Sequence, residues 1–368
     1  MADDFGYHID HHGSLVRPAS LLAARATLSG EALTAATDEA VVTLAHELRR
    51  LTLNAMCDGQ FRRACLESVV HDQVAGFAPV TGPTPLTDLA GIAASRVRAV
   101  PDATVLEVSA PAAAGRLAKA EAAPVLATVD RSVFVTLPSP GYLAAAGSAL
   151  DSTAAVDEAQ AGGAALAAIL RAEIEALAGD GVAYVALANP LCGPLLTVAG
   201  RERLAASLDV DAVLATMVAA DRAAVTGLGV PENFRVGLDL TDSGPLPTTE
   251  RGYHLAALDT LLDETPFHRL GTDFPADPAA RLPLEQIKPG LVISLGVVDV
   301  ATPGLEAVES ILDRVDPVVD RRGEDDVAIA TNGGFAASAS RPLMTEDEQN
   351  AKLRLVETVA RYYWGNEI

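Results

Sequence analysis

Two stretches of this chain hold most of the side chains that could do chemistry. The first is Tyr7-His8-Ile9-Asp10-His11-His12-Gly13-Ser14. On a strand, His8, Asp10 and His12 would share one face. Two imidazoles and a carboxylate on one face can hold a divalent cation. A metal at His8, Asp10 and His12 is therefore one reading of the cluster. The other is that His11 and His12 hydrogen-bond or exchange protons in a pocket. Gly13-Ser14 adds a turn, a backbone N–H and a hydroxyl. With Arg17 nearby, those groups suit an anionic ligand. The second stretch is Asp239-Leu240-Thr241-Asp242-Ser243. Carboxylates that converge raise one another's pKa and act as general acid or base. They can also hold a hard cation through oxygen. Asp239 and Asp242, with Asp273 further on, are the candidates.

Smaller polar clusters follow other apolar runs. They are Cys57-Asp58-Gly59-Gln60-Phe61-Arg62-Arg63, Pro138-Ser139-Pro140, Asn189-Pro190, Gly271-Thr272-Asp273 and Thr331-Asn332-Gly333-Gly334-Phe335. Gln60, Ser139, Asn189 and Asn332 can orient a ligand, and so can His254, which follows the polar loop from Asp242. His46, His71 and His268 stand alone and read as structural. Arg62 and Arg63 read as ion-pair partners at a helix start. Cys57 and Cys192 have no sequence neighbour that would lower a thiol pKa, so neither reads as a nucleophile. G-x-S-x-G, P-loop and H-E-x-x-H motifs are absent.

The elements that position these groups alternate. Short apolar runs at 94–100, 104–109, 131–137, 182–188, 234–240, 291–299 and 327–330 are separated by helical patterns at 141–148, 153–178, 200–220, 249–263, 304–314 and 345–363. Residues 19–52 read as two helices, the second capped by Thr37-Asp38. The Ala-rich stretch 153–178 reads as a solvated helix. Buried strands alternating with helices predict a parallel sheet. The number of units is enough to close a (β/α)8 TIM barrel. The chain of 368 residues exceeds the typical ~250 of that fold, which leaves room for an insertion at about 76–115 in a single domain, 1–368. In such a barrel the chemistry sits on the loops after the strands. An open doubly wound sheet lacks its Gly-rich turn here.

Composition narrows the function. Asp and Glu number 49 against 27 Lys and Arg, a net charge of −22. So acidic a field repels phosphate backbones and anionic lipid, so no nucleic-acid or membrane partner is expected. Cys57, Cys65 and Cys192 are too few for a disulfide framework and suit a reducing compartment. The start is acidic without a signal-peptide pattern, and no apolar run reaches about 18 residues. A soluble, cytoplasmic protein is expected.

In this order the clusters resemble the cobalamin-independent methionine synthase family in its short, single-barrel form. Asp10-His11-His12-Gly13-Ser14-Leu15-Val16-Arg17-Pro18 is similar to that family's opening motif. Asp58-Gly59-Gln60-Phe61-Arg62-Arg63 is similar to its DGEFRR, and Leu137-Pro138-Ser139-Pro140 to its PSP loop. Residues 291–306 and the closing region from Gly334-Phe335 to Trp364-Gly365 resemble its last strands and helix. The resemblance implies a methionine-synthase/uroporphyrinogen-decarboxylase-like TIM barrel with its mouth on these loops, and a methyltransferase relative.

The departures bear on chemistry. The family binds a catalytic zinc through H-x-C, a Glu and a second Cys, and the metal turns a thiol into a thiolate nucleophile. Those positions fall here on Asp239-Leu240-Thr241, Gly271 and Gly333. The family's QIDEP, which faces the homocysteine amino group, reads Ala186-Leu187-Ala188-Asn189-Pro190, and the Glu of DGEFRR is Gln60. The zinc and homocysteine ligands are thus absent by this alignment, and methionine synthesis is not expected. The leading expectation is a transferase or lyase without zinc. It would act on a small polar, anionic molecule, with His11, His12, Asp239 and Asp242 as acid–base residues and Ser14, Arg17, Gln60, Ser139, Asn189, His254 and Asn332 binding substrate. One alternative is a non-catalytic binding module or partner subunit of a zinc-containing paralogue. The other is a metalloenzyme with its metal at His8–His12. No cofactor is expected, folate binding is left open, and the Ala-rich helices suit a homodimer or hetero-oligomer.

Overall fold

The computed structural model describes residues 8–80, 82–100, 107–108, 116–241, 252–336 and 338–365. Seven strands form one parallel sheet in chain order: β1 (Ala55–Met56), β2 (Ser132–Pro138), β3 (Tyr184–Ala188), β4 (Arg235–Asp239), β5 (Arg269–Asp273), β6 (Val292–Val298) and β7 (Val327–Thr331). Beside β7, Ile9 makes a parallel bridge to Ile329. The Asp10 N–H donates to the Ile329 carbonyl at 2.9 Å, and the Ile329 N–H to that of His8 at 2.8 Å. Toward β1 the same segment is tied by the His11 ring at the Ala55 carbonyl, 3.4 Å, and by the Leu15 N–H donating to the Gly59 carbonyl, 3.1 Å. The ladder among the described residues is therefore seven strands and one bridge, a curled sheet rather than eight paired strands.

The strands are buried along nearly their whole length because helices cover the outer face. Outward go the large apolar residues: Val133, Val135, Val185, Leu187, Val236, Leu238, Ile293 and Leu295, each at most 5% exposed. Inward go their alternates, a mixture of aromatic, small and polar residues: Phe134 and Thr136, Tyr184 and Ala186, Asp239, Gly271 and Ser294. A chain poor in aromatics fills the outer layers by letting helices approach closely. In helix Thr153–Asp180, a Cβ on Gly163 would stand 3.0 Å from the Ala220 Cβ. In helix Pro140–Ala146, a Cβ on Gly141 would stand 2.3 Å from the Met217 carbonyl oxygen.

Several expectations are corrected. The run 94–100 supplies a 3-10 turn and Arg98–Ala99, paired antiparallel with Ala78–Pro79. Within 104–109, Glu107–Val108 pairs antiparallel with Val74–Ala75. Neither joins the main sheet, because both lie in the long connection from β1 to β2. The second helix starts at Gly30 and runs to Arg50. Thr37 does not cap it, because its hydroxyl bonds back to the Leu33 carbonyl at 2.8 Å. Helix Thr153–Asp180 is not merely solvated. Its Glu173 is buried, accepts from the N–H groups of Leu117 and Ala118 at 2.9 and 3.0 Å, and meets Arg116 at 3.0 Å.

Arg63 fulfils the ion-pair expectation. It makes a two-pronged bond to Glu121, at 2.8 and 2.5 Å, in the first turn of helix Lys119–Thr128. The side chains are 2% and 5% exposed. Removing one partner strands a buried charge, which costs roughly 3–5 kcal/mol, whereas replacing both with apolar groups need not. Glu121→Ala is therefore expected to lower the urea unfolding free energy by about 3 kcal/mol or more, and Arg63→Leu/Glu121→Leu to recover most of it. A single-variant loss under about 1 kcal/mol would refute the assignment.

Candidate active site

The inward positions stack in layers because side chains two residues apart share a strand face. Deepest is the Asp10–Arg269 pair at 2.8 Å, with side chains 8% and 1% exposed. Arg269 also lies over the Tyr184 ring, 5.7 Å from its centroid. Burial pushes the Asp10 carboxyl up, but the Arg269 guanidinium outweighs it and holds Asp10 below the usual carboxylate range.

One layer up are His12, Asp239 and Gly271. The His12 Nδ1 is 2.6 Å from Asp239 Oδ2, and its Nε2 is 2.6 Å from the Thr331 carbonyl oxygen. The other Asp239 oxygen, Oδ1, accepts from the Thr241 N–H at 2.9 Å and the Thr241 hydroxyl at 2.8 Å. A carbonyl and a carboxylate only accept, so both ring nitrogens must donate. His12 is an imidazolium. Burial opposes the charge, but Asp239, its hydrogen bond and Asp10 together raise the His12 pKa above 6.5. Gly271 is the register partner of Asp239 on β5. The space at this level open to the centre of a water molecule is about 10 Å³. That volume holds one water and no substrate. Two buried polar atoms without protein partners belong to residues that line it: Thr136 Oγ1 and His11 Nδ1.

Asp273 stands two residues beyond Gly271 on the same face, toward the mouth. Burial and the neighbouring Asp299 push its carboxyl up to about 6. Its Oδ1 is buried and has no hydrogen-bond partner. Asn332 bridges this layer, donating to Asp299 Oδ1 at 3.1 Å and accepting from the Val300 N–H at 2.9 Å. A protonatable carboxyl with a free oxygen above a fixed cation can transfer protons. Asp273 is the third of the carboxylate candidates that the sequence offered beside Asp239 and Asp242. Its signal was the two-residue spacing from Gly271.

Other expected site residues fall elsewhere. Asp242 lies outside the described residues. His11 packs edge-on against Phe134 at 4.9 Å, and burial drops its pKa to about 4. Its ring is held neutral by burial and sits against Phe134, away from the His12–Asp239 pair. Arg17 does not face a ligand. Its guanidinium donates to the carbonyls of Leu15, Ala336, Gln60 and Arg63 at 2.7–3.3 Å and so ties together the chain segments that carry them. Ser139 caps helix Pro140–Ala146 through the Tyr142 N–H at 3.0 Å, and His254 caps helix Leu255–Leu262 through that of Ala257 at 3.2 Å. Both side chains are engaged in helix capping. Asn189 donates to Asp221 at 2.7 Å and leaves its own buried Oδ1 unpartnered at the end of β3. Gln60 is buried beside Gly13, with its backbone at φ 57°. Ser14 is buried one residue beyond, its N–H donating to the His12 carbonyl at 3.1 Å. Burial raises the thiol pKa values of Cys57 and Cys192.

The positions that the resemblance assigns to zinc do not fit a zinc ion. They carry a carboxylate already committed to His12, a threonine, and two glycines. No group of three His, Cys, Asp or Glu among the described residues is placed to hold a metal. His8, Asp10 and His12 do not form the alternative site. His8 stacks on Trp364 at 4.3 Å, Asp10 belongs to Arg269 and His12 to Asp239.

The charged ring has a pH signature. A histidine whose pKa is raised on folding contributes stability that is complete below the unfolded value, 6.5, and is lost as pH rises through the folded one. The stability advantage of the wild type over His12→Gln is therefore expected to shrink as pH is raised above neutrality. Paired chemical unfolding at several pH values checks this. An advantage that stays flat with pH would sink the imidazolium assignment.

No family model and no curated protein matches the chain. Solved structures do. A protein of Listeria monocytogenes assigned as a vitamin-B12-independent methionine synthase superposes with a TM-score of 0.68 at 18% identity, covering 98% of both chains. A B12-independent methionine synthase from Shewanella sp. W3-18-1, solved with selenomethionine, gives 0.68 at 15% identity over 97% of both. The fold of this chain is that of cobalamin-independent methionine synthase structures, along nearly its whole length.

Proposed function

We propose that this chain is a methionine-synthase-like (β/α)8 barrel enzyme, closed between residues 8–12 and β1, that has lost the thiolate-activating zinc. It acts on a small polar, anionic molecule by group-transfer or lyase chemistry. The observation that carries this reading is the 2.6 Å His12–Asp239 pair at the inward ends of the strands. A fixed imidazolium there favours negative charge on a ligand above it, both in the ground state and as charge develops during reaction. Asp273, with its pKa near 6, takes a proton from the substrate carbon or oxygen and returns it. Asn189 and Asn332 orient the polar groups. The free thiols of Cys57, Cys65 and Cys192 suit a reducing, cytoplasmic setting.

The test is a panel of small carboxylates, hydroxy acids and amino acids incubated with the protein in D2O and followed by NMR. One class is expected to bind and to exchange the C–H beside its carboxylate. Asp273→Asn is expected to slow exchange by roughly 10²–10⁴-fold while binding persists, and His12→Gln to weaken binding. Zinc near one per chain together with methylation of homocysteine would overturn the reading.

A second reading is favoured by the closure of the centre, where the His12–Asp239 and Asp10–Arg269 charges satisfy each other. A non-catalytic partner subunit needs only this stability. It predicts a stable hetero-oligomer with a zinc-containing paralogue, and no exchange by this chain alone.

A further inference from the structure

We infer that the doubly protonated His12 ring stands in the place of a metal cation, that Gly271 is the residue that makes room for it, and that the centre is built to refuse a divalent ion. This deepens the proposed function, on whose zinc-free centre it rests. The ring sits among the positions where the resemblance would put a zinc shell. Its Nδ1 meets Asp239, its Nε2 meets the Thr331 carbonyl two residues before Gly333, and its Cε1 faces Gly271.

Three observations support it. The first is distance. Zinc bonds of about 2.0–2.2 Å at a tetrahedral angle keep two donor atoms roughly 3.3 Å apart. The Nδ1 and Oδ2 atoms are 2.6 Å apart, which is a hydrogen bond with no space for an ion between them. The second is valence. A metal needs a bare nitrogen lone pair, and both ring nitrogens donate here. The remaining Asp239 oxygen is occupied by Thr241 twice. The third is volume. A Cβ at position 271 would lie 3.0 Å from Asp239 Oδ1 and 3.4 Å from both Asp239 Cγ and His12 Cε1. Any side chain at 271 presses on the pair. A glutamate there would also set a third carboxylate beside Asp239 and Asp10. The missing glutamate and the His12–Asp239 pair are therefore one change. The centre keeps a positive charge where the family keeps its metal, but the charge is a proton held in place, with no vacant orbital to coordinate a sulfur as zinc does.

The experiment is nitrogen-15 NMR of the histidine rings in the full-length protein at neutral pH. Both His12 nitrogens are expected to bear protons, and their signals to stay unmoved by a chelator or by equimolar zinc chloride. Gly271→Ala is expected to shift or abolish the His12 Nδ1–H signal. Gly179→Ala, whose Cβ meets nothing within 4 Å, is expected to leave it alone. If Gly271→Ala does not fold, the wild-type spectrum with and without zinc decides by itself. A His12 ring with one bare nitrogen overturns the inference. So does zinc uptake at one per chain with loss of the Nδ1 proton, or a Gly271→Ala spectrum identical to wild type. Failure to find an anionic substrate would leave these signals untouched, so the two readings fail separately.

Discussion

A parallel sheet curled on itself points half of its side chains at one another, and a charge placed there must be balanced within its own layer. This chain meets that constraint with two pairs. Arg269 answers Asp10 in the deep layer, and protonated His12 answers Asp239 above it. The rest of the centre follows from these bonds. Thr241 folds back to saturate the second Asp239 oxygen. Position 271 is glycine because the pair fills the space in front of it. Breaking either pair would leave a buried charge without its counter-charge, which the low dielectric of the interior penalises heavily.

The centre itself is nearly filled, with room for about one water among His11, Thr136 and Ser294, so open space begins only above His12. That level holds Asp273, Asp299 and Asn332 at the ends of β5, β6 and β7. The layers thus divide the labour. The lower two set a fixed field, and the upper one supplies a carboxyl able to change protonation near neutral pH.

Small residues in the outer shell serve the same end. Gly141 and Gly163 let helices Pro140–Ala146, Thr153–Asp180 and Val210–Val225 approach almost to backbone contact. That packing holds the sheet's outer face with few large aromatics, Tyr142 being one. Buried ion pairs brace the long β1–β2 connection internally, Arg63 to Glu121 and Arg96 to Glu67, while the Tyr142 hydroxyl on Glu67 and the Arg116–Glu173 pair tie it to the helices beyond. The positions of Ser139 and Asn189 at the mouth rest on this outer frame.

By itself the sequence determined the alternation of strands and helices, because apolar runs and helical spacing are local properties. It also determined the placing of polar clusters after strands, and that positions 239, 241, 271 and 333 carry Asp, Thr, Gly and Gly where the resemblance would put His, Cys, Glu and Cys. His12 and Asp239 were legible as candidates from their residue types. Only the tertiary structure decided which candidates meet. His12 and Asp239 are 227 positions apart in the chain, and nothing local signals their 2.6 Å contact. The commitment of Arg17 to four carbonyls and the neutrality of His11 against Phe134 likewise depend on atoms distant in the chain. So did the ribbon pairing of the 94–100 run, since a short apolar stretch reads alike whether its partner is parallel or antiparallel. Protonation was the last to be settled. The charge on His12 is set by two acceptors brought in from β4 and β7, and no spacing within the opening motif specifies them.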